Sequence, residues 1–98
     1  MINTWKTKKE QRFYRDWEDI KEWRSFRKEL RRSLRDLDLA KNLNDLLALP
    51  GNRLRKLEGA YKGNYYRIWV NKQYRIIFRW GKDNNAYEVE ISKHKYKK

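Results

Sequence analysis

The stretch from Tyr65 to Trp80, YYRIWVNKQYRIIFRW, constrains the fold more than any other part of the chain. Two runs of β-branched and aromatic residues flank Asn71-Lys72-Gln73, the composition and spacing of a β-hairpin with a short connection. Residues directly opposite each other in an antiparallel pair share a face, so a turn centred on Lys72 pairs Val70 with Tyr74, Ile68 with Ile76 and Tyr66 with Phe78. That face is wholly apolar. The other collects Tyr65, Arg67, Trp69, Arg75, Ile77 and Arg79, and a slip of one residue would destroy the separation. Arginines with interleaved aromatics on one sheet face suit a phosphate backbone with unstacked bases.

The 98 residues support a single domain spanning 1–98. Against 13 Asp plus Glu stand 26 Lys plus Arg, a formal charge of +13 that calls for a polyanionic or acidic partner. Aromatic residues make up 15% of the chain, so the charge rides on a folded body rather than on a disordered basic tail. The absence of cysteine excludes disulfides, thiolate catalysis and Cys-based zinc sites. No signal peptide or membrane-length apolar run is visible, so the expectation is a soluble cytoplasmic protein with no membrane partner.

Taken in order, Met1 to Trp5 reads as a first strand, and Thr7-Lys8-Lys9-Glu10 fits a capping box that starts a helix. Phe13, Trp17 and Ile20 give that helix an apolar face, although Asp16, Glu18 and Asp19 leave open a break and a fresh start. From Trp23 a stripe of Phe26, Leu30, Leu34 and Leu37 predicts the strongest helix, with Arg24, Arg27, Lys28, Arg31, Arg32 and Arg35 outside. Those cations read first as a solvated face, with direct RNA contact as the alternative. Leu43, Leu46 and Leu47 form a short helical turn that Pro50-Gly51 stops. Leu54 to Glu58 is expected as a strand, and Ala86 to Ser92 as the last one, after the turn at Gly81 to Asn85.

For that last strand, only one register places Tyr87, Val89 and Ile91 opposite Trp80, Phe78 and Ile76 on the apolar face. Arg79 then faces Glu88, Ile77 faces Glu90 and Arg75 faces Ser92, and a continued strand brings His94 to the arginine side. The expected architecture is α+β, with an N-terminal strand and two to three helices packed on one face of a small antiparallel sheet.

Three segments carry a family resemblance: LALPGNRLRKLEG, then YRIWVNKQYRIIFRW, then the closing YEVEI. The Pro-Gly-Asn-Arg-Leu box at Pro50 to Leu54, the strand-turn-strand from Ile68 to Phe78 and the Val89 to Ile91 strand resemble the HigB branch of the RelE-type toxins. The resemblance implies a RelE-like, microbial ribonuclease-like fold. It also implies a ribosome-dependent endoribonuclease that cleaves mRNA in the decoding site and inhibits translation. Its implied partners are the ribosome, mRNA and a HigA-like helix-turn-helix antitoxin, through which alone operator DNA would be reached. Where many relatives close with Asp-Tyr-His, this chain has Lys93-His94-Lys95-Tyr96.

Cleavage by internal attack needs a base for the 2′-hydroxyl, cations for the pentacoordinate phosphate and an acid for the leaving 5′-oxygen, with no metal or other cofactor required. His94 is the only side chain with an ordinary pKa near neutrality. Arg67 and Arg75 occupy the positions of the family's arginines, and a guanidinium engages phosphate through two hydrogen bonds. Tyr96 completes the expected catalytic set. Arg55, Lys56, Lys62, Arg79, Lys93 and Lys95 are expected RNA contacts, with Tyr65 and Trp69 as stacking surfaces. Glu90 is an alternative base, and pairing with Glu88 is the alternative use of Arg79. The competing functions are a non-catalytic RNA- or ribosome-binding protein and a catalytically dead relative that binds an antitoxin.

Overall fold

In the computed structural model, which describes residues 1–49, 51–58 and 63–93, the hairpin forms as β2 (Tyr65–Trp69) and β3 (Tyr74–Trp80). Its register is the expected one, with Tyr66 opposite Phe78 and Ile68 opposite Ile76. The side-chain oxygen of Asn71 accepts from the N–H groups of Gln73 and Tyr74 at 2.8 and 2.9 Å, so the turn closes through a local asparagine bond. One edge of the hairpin carries β1, reduced to Arg55–Lys56, and the other carries β4 (Ala86–Lys93). The four strands lie in chain order and all pair antiparallel.

The register of β3 on β4 departs from expectation halfway along. Arg75 faces Ser92, Ile76 faces Ile91 and Ile77 faces Glu90, but Arg79 then faces Tyr87 and Trp80 faces Ala86. Glu88, at φ 53°, lies in a β-bulge. The N-terminal segment supplies the physical reason. It runs parallel to β4 through bridges of Ile2 with Ala86 and Trp5 with Val89, instead of forming the expected regular strand. Asn3 N–H donates to the Ala86 carbonyl at 2.8 Å, Val89 N–H to the Thr4 carbonyl at 3.1 Å, and Glu88 N–H to Thr4 Oγ1 at 2.8 Å. Ala86 and Val89 are both fully buried as a result, and Tyr87 turns to the opposite face.

The helical layer starts with α1 (Lys8–Arg15), where Thr7 and Glu10 bond each other's side chains rather than the backbone groups of a capping box. The break left open by the sequence is present: Trp17 takes a left-handed φ of 59°, and a 3₁₀ turn (Lys21–Phe26) precedes α2 (Arg27–Leu39). Trp23, Leu30, Leu34 and Leu37 of the predicted stripe are buried, while half-buried Phe26 stacks on Tyr74 at 4.5 Å. The short α3 (Leu43–Leu47) is capped by Asn42, which accepts from Asp45 N–H at 3.0 Å, and buries Leu46. These side chains close over Ile68, Ile76, Phe78 and Val89, giving an α+β sandwich with its helices on one sheet face. Among the described residues, no helix is long and apolar enough to cross a membrane.

Candidate nucleic-acid interface

Because the helices occupy only the apolar face, the alternation of β2 and β3 leaves Arg67, Trp69, Arg75 and Arg79 on the other. Gly51, at φ 87°, and Arg53, at φ 48°, turn the chain sharply ahead of β1. The Trp69 N–H donates to the Asn52 carbonyl at 2.6 Å and pins that turn to the end of β2. The guanidinium of Arg53 thereby reaches the Trp69 ring, 4.5 Å from its centroid, while that of Arg75 stands 5.7 Å from the same ring. Arg53, Leu54, Arg55, Arg67, Trp69 and Arg75 line one concavity of about 470 Å³.

No carboxylate of the described residues lines this concavity. Arg55 lies directly opposite Arg67 on adjacent strands, an arrangement that costs stability unless an anion joins it. Among the described residues, no carboxylate forms an ion pair with Arg53, Arg55 or Arg67. Arg75 donates through Nη1 to the carbonyls of Asn71 and Tyr74, the latter at 3.0 Å, so its head group is held in place before any ligand arrives. Two guanidiniums against one indole, with Arg55 and Arg67 in the same concavity, offer paired donors for phosphate oxygens and a flat surface for a base.

The far end of the same face is electrostatically quiet. Glu88 accepts from the Tyr65 hydroxyl at 2.6 Å and pairs with Arg79 Nε at 3.3 Å. Hydrogen bonds from Tyr65 and Arg79 hold the Glu88 carboxyl below the usual carboxylate range, and the bond to Glu88 in turn raises the Tyr65 phenol. Arg79 also packs over the Tyr87 ring at 4.6 Å. Glu90 pairs with Lys6 at 3.3 Å.

Of the expected site residues, Arg55, Arg67, Trp69 and Arg75 come together in the concavity, and Tyr65 and Arg79 lie at the quiet end. Register places Lys56 opposite Tyr66 and Lys93 opposite Tyr74, on the helix-side face of the sheet and away from the arginines. Strand alternation is the reason, since each directly follows a residue of the arginine face. Lys62, His94, Lys95 and Tyr96 lie outside the described residues. Arg53 joins the concavity from outside the expected set, because the Gly-Asn-Arg reversal carries it over Trp69 only once the turn is folded.

A family model described as RelE-like toxin of type II toxin-antitoxin system HigB matches residues 3–94. Toxin HigB-1 of Vibrio cholerae is 48% identical over 65 residues, covering 66% of this chain and 66% of the relative. An uncharacterized protein of Haemophilus influenzae is 36% identical over 69 residues, covering 70% of this chain and 66% of that protein. The matched segments thus span just under two thirds of the length of these curated relatives. A family match over nearly the whole chain, joined to this fold and this arginine-lined sheet face, means that the chain belongs to the HigB-like family of RelE-like toxins of type II toxin-antitoxin systems.

Proposed function

We propose that this protein is a ribosome-dependent endoribonuclease toxin whose 1–98 domain cleaves mRNA and thereby stops translation. The observation that carries the reading is the concavity of Arg53, Arg55, Arg67, Arg75 and Trp69, which gathers four guanidiniums and no carboxylate of the described residues. In the reaction, a base removes the proton of the 2′-hydroxyl, its oxygen attacks phosphorus, and the 5′-oxygen leaves with a proton from an acid. The products are a 2′,3′-cyclic phosphate and a free 5′-hydroxyl. Arg67 and Arg75 balance the charge on the pentacoordinate phosphate, the task that other nucleases give to a metal ion. His94 and Tyr96 are assigned to the proton transfers, and Trp69 to base stacking.

The partners under this reading are the ribosomal decoding site with its mRNA, and a HigA-like helix-turn-helix antitoxin that alone contacts operator DNA. The setting is the cytoplasm. A purified translation reaction tests the activity: wild-type protein cuts ribosome-bound mRNA, while Arg67→Ala and His94→Ala each lose most of the cutting. Intact mRNA at saturating wild-type protein, with ribosome binding retained, would identify a non-catalytic binder. Wild-type protein that leaves growth unaffected when expressed without its partner would identify a dead toxin relative.

A further inference from the structure

A second concavity, of about 770 Å³, lies on the helical side and is lined by Tyr14, Trp17, Lys28, Arg31, Arg32 and Arg35, together with Arg15 and Glu29. Lys28, Arg32 and Arg35 recur at i, i+4 and i+7 on α2, which aligns them along one stripe of the helix. Among the described residues none of the three has a carboxylate partner, whereas Lys9, Arg12, Arg15 and Arg24 on the same side of the molecule are each paired with an acid. Glu29 is the one carboxylate in the lining, and among the described residues it forms no ion pair with these three cations.

Trp17 marks the edge of this concavity. It is 75% exposed in a left-handed backbone conformation, and the Arg31 guanidinium lies 3.4 Å from its ring centroid. Arg31 is fixed by donating to the carbonyls of Phe13 and Tyr14 at 2.7 and 3.1 Å, so the indole and the guanidinium form one flat cationic plate. Five of the eight lining residues are Lys or Arg, and nucleic-acid interfaces are polar and strongly basic. We propose that this helical concavity is a second RNA-binding surface, on which Lys28, Arg32 and Arg35 track the phosphate backbone of double-helical RNA and the Trp17–Arg31 plate abuts its sugar edge.

The inference rests on the RNA reading above for its class of partner, but not on cleavage. Binding of a blunt RNA duplex is measured across a salt series for the wild type and for Lys28→Gln/Arg32→Gln/Arg35→Gln. The plot of log affinity against log salt should become shallower by about two to three, one per lost phosphate contact. A control that removes equal charge outside the concavity, Lys8→Gln/Lys21→Gln/Lys82→Gln, should change the slope by less than half as much. Equal effects of the two triple variants overturn the site. So does a folded concavity variant, checked by its melting temperature, that keeps the wild-type slope, including one that loses only an acidic protein partner. Because the duplex is read uncut, a failed mRNA-cleavage assay beside a shallower slope rejects the enzyme and leaves this surface standing.

Discussion

Arg53 stacks on Trp69, its guanidinium 4.5 Å from the ring centroid, because the Asn52 carbonyl accepts the Trp69 backbone N–H and draws the preceding turn onto the end of β2. The contact supplies the concavity with a guanidinium that does not come from the sheet. Arg53→Ala is expected to lower mRNA cutting about 10- to 100-fold, the range for losing a hydrogen bond to a charged group. Arg53→Lys should recover only part, since an ammonium has charge but no stacking plane. Single-turnover cleavage measures both, and full activity in Arg53→Ala would remove this residue from the site.

Arg55 and Arg67 face each other across β1 and β2 as like charges. Removing one should relieve repulsion of about 0.2–1 kcal/mol. Arg67→Ala is therefore expected to lose activity while its thermal unfolding temperature holds or rises. A marked drop in that temperature would mean that Arg67 serves the fold instead.

Glu88 neutralises Arg79 at the quiet end of the arginine face. Glu88→Gln should release that guanidinium and steepen the salt dependence of RNA binding by about one phosphate contact. It should also bring the Tyr65 phenol back toward its ordinary titration, because the bond to Glu88 is what raises it. Spectrophotometric titration of the tyrosines checks the second effect, and an unchanged salt slope would show that Arg79 is not used for RNA.

Asp38 joins the N-terminus to the helical layer, accepting from Ile2 N–H at 2.8 Å, Arg15 at 3.0 Å and the Tyr14 hydroxyl at 3.2 Å. Burial pushes its carboxyl up, but the Ile2 and Arg15 bonds outweigh burial and hold it below the usual carboxylate range. A depressed value means that the stabilisation is fully present above about pH 4 and is lost as pH falls through the native value. Asp38→Asn should cost about 1–3 kcal/mol at neutral pH, a difference that shrinks as pH drops below about 4. Chemical denaturation at a series of pH values measures it, and a pH-independent difference would contradict this account.

The hairpin register was legible in the sequence because a period of two, with one wholly apolar face, leaves a single alignment that buries Ile68, Ile76 and Phe78 together. The α2 stripe was legible for the same reason at the helical period. The bulge at Glu88 was not, because it depends on Thr4 and Ile2 lying along β4, a pairing between residues more than eighty positions apart. Nor could spacing alone put Arg53 over Trp69, or set Lys56 and Lys93 apart from the arginines they neighbour in the chain. Local alternation determined which residues share a face, and so the presence of a cationic sheet surface. Tertiary structure decided which of those cations remain unneutralised, because ion pairs and stacking depend on contacts between segments that no periodicity records.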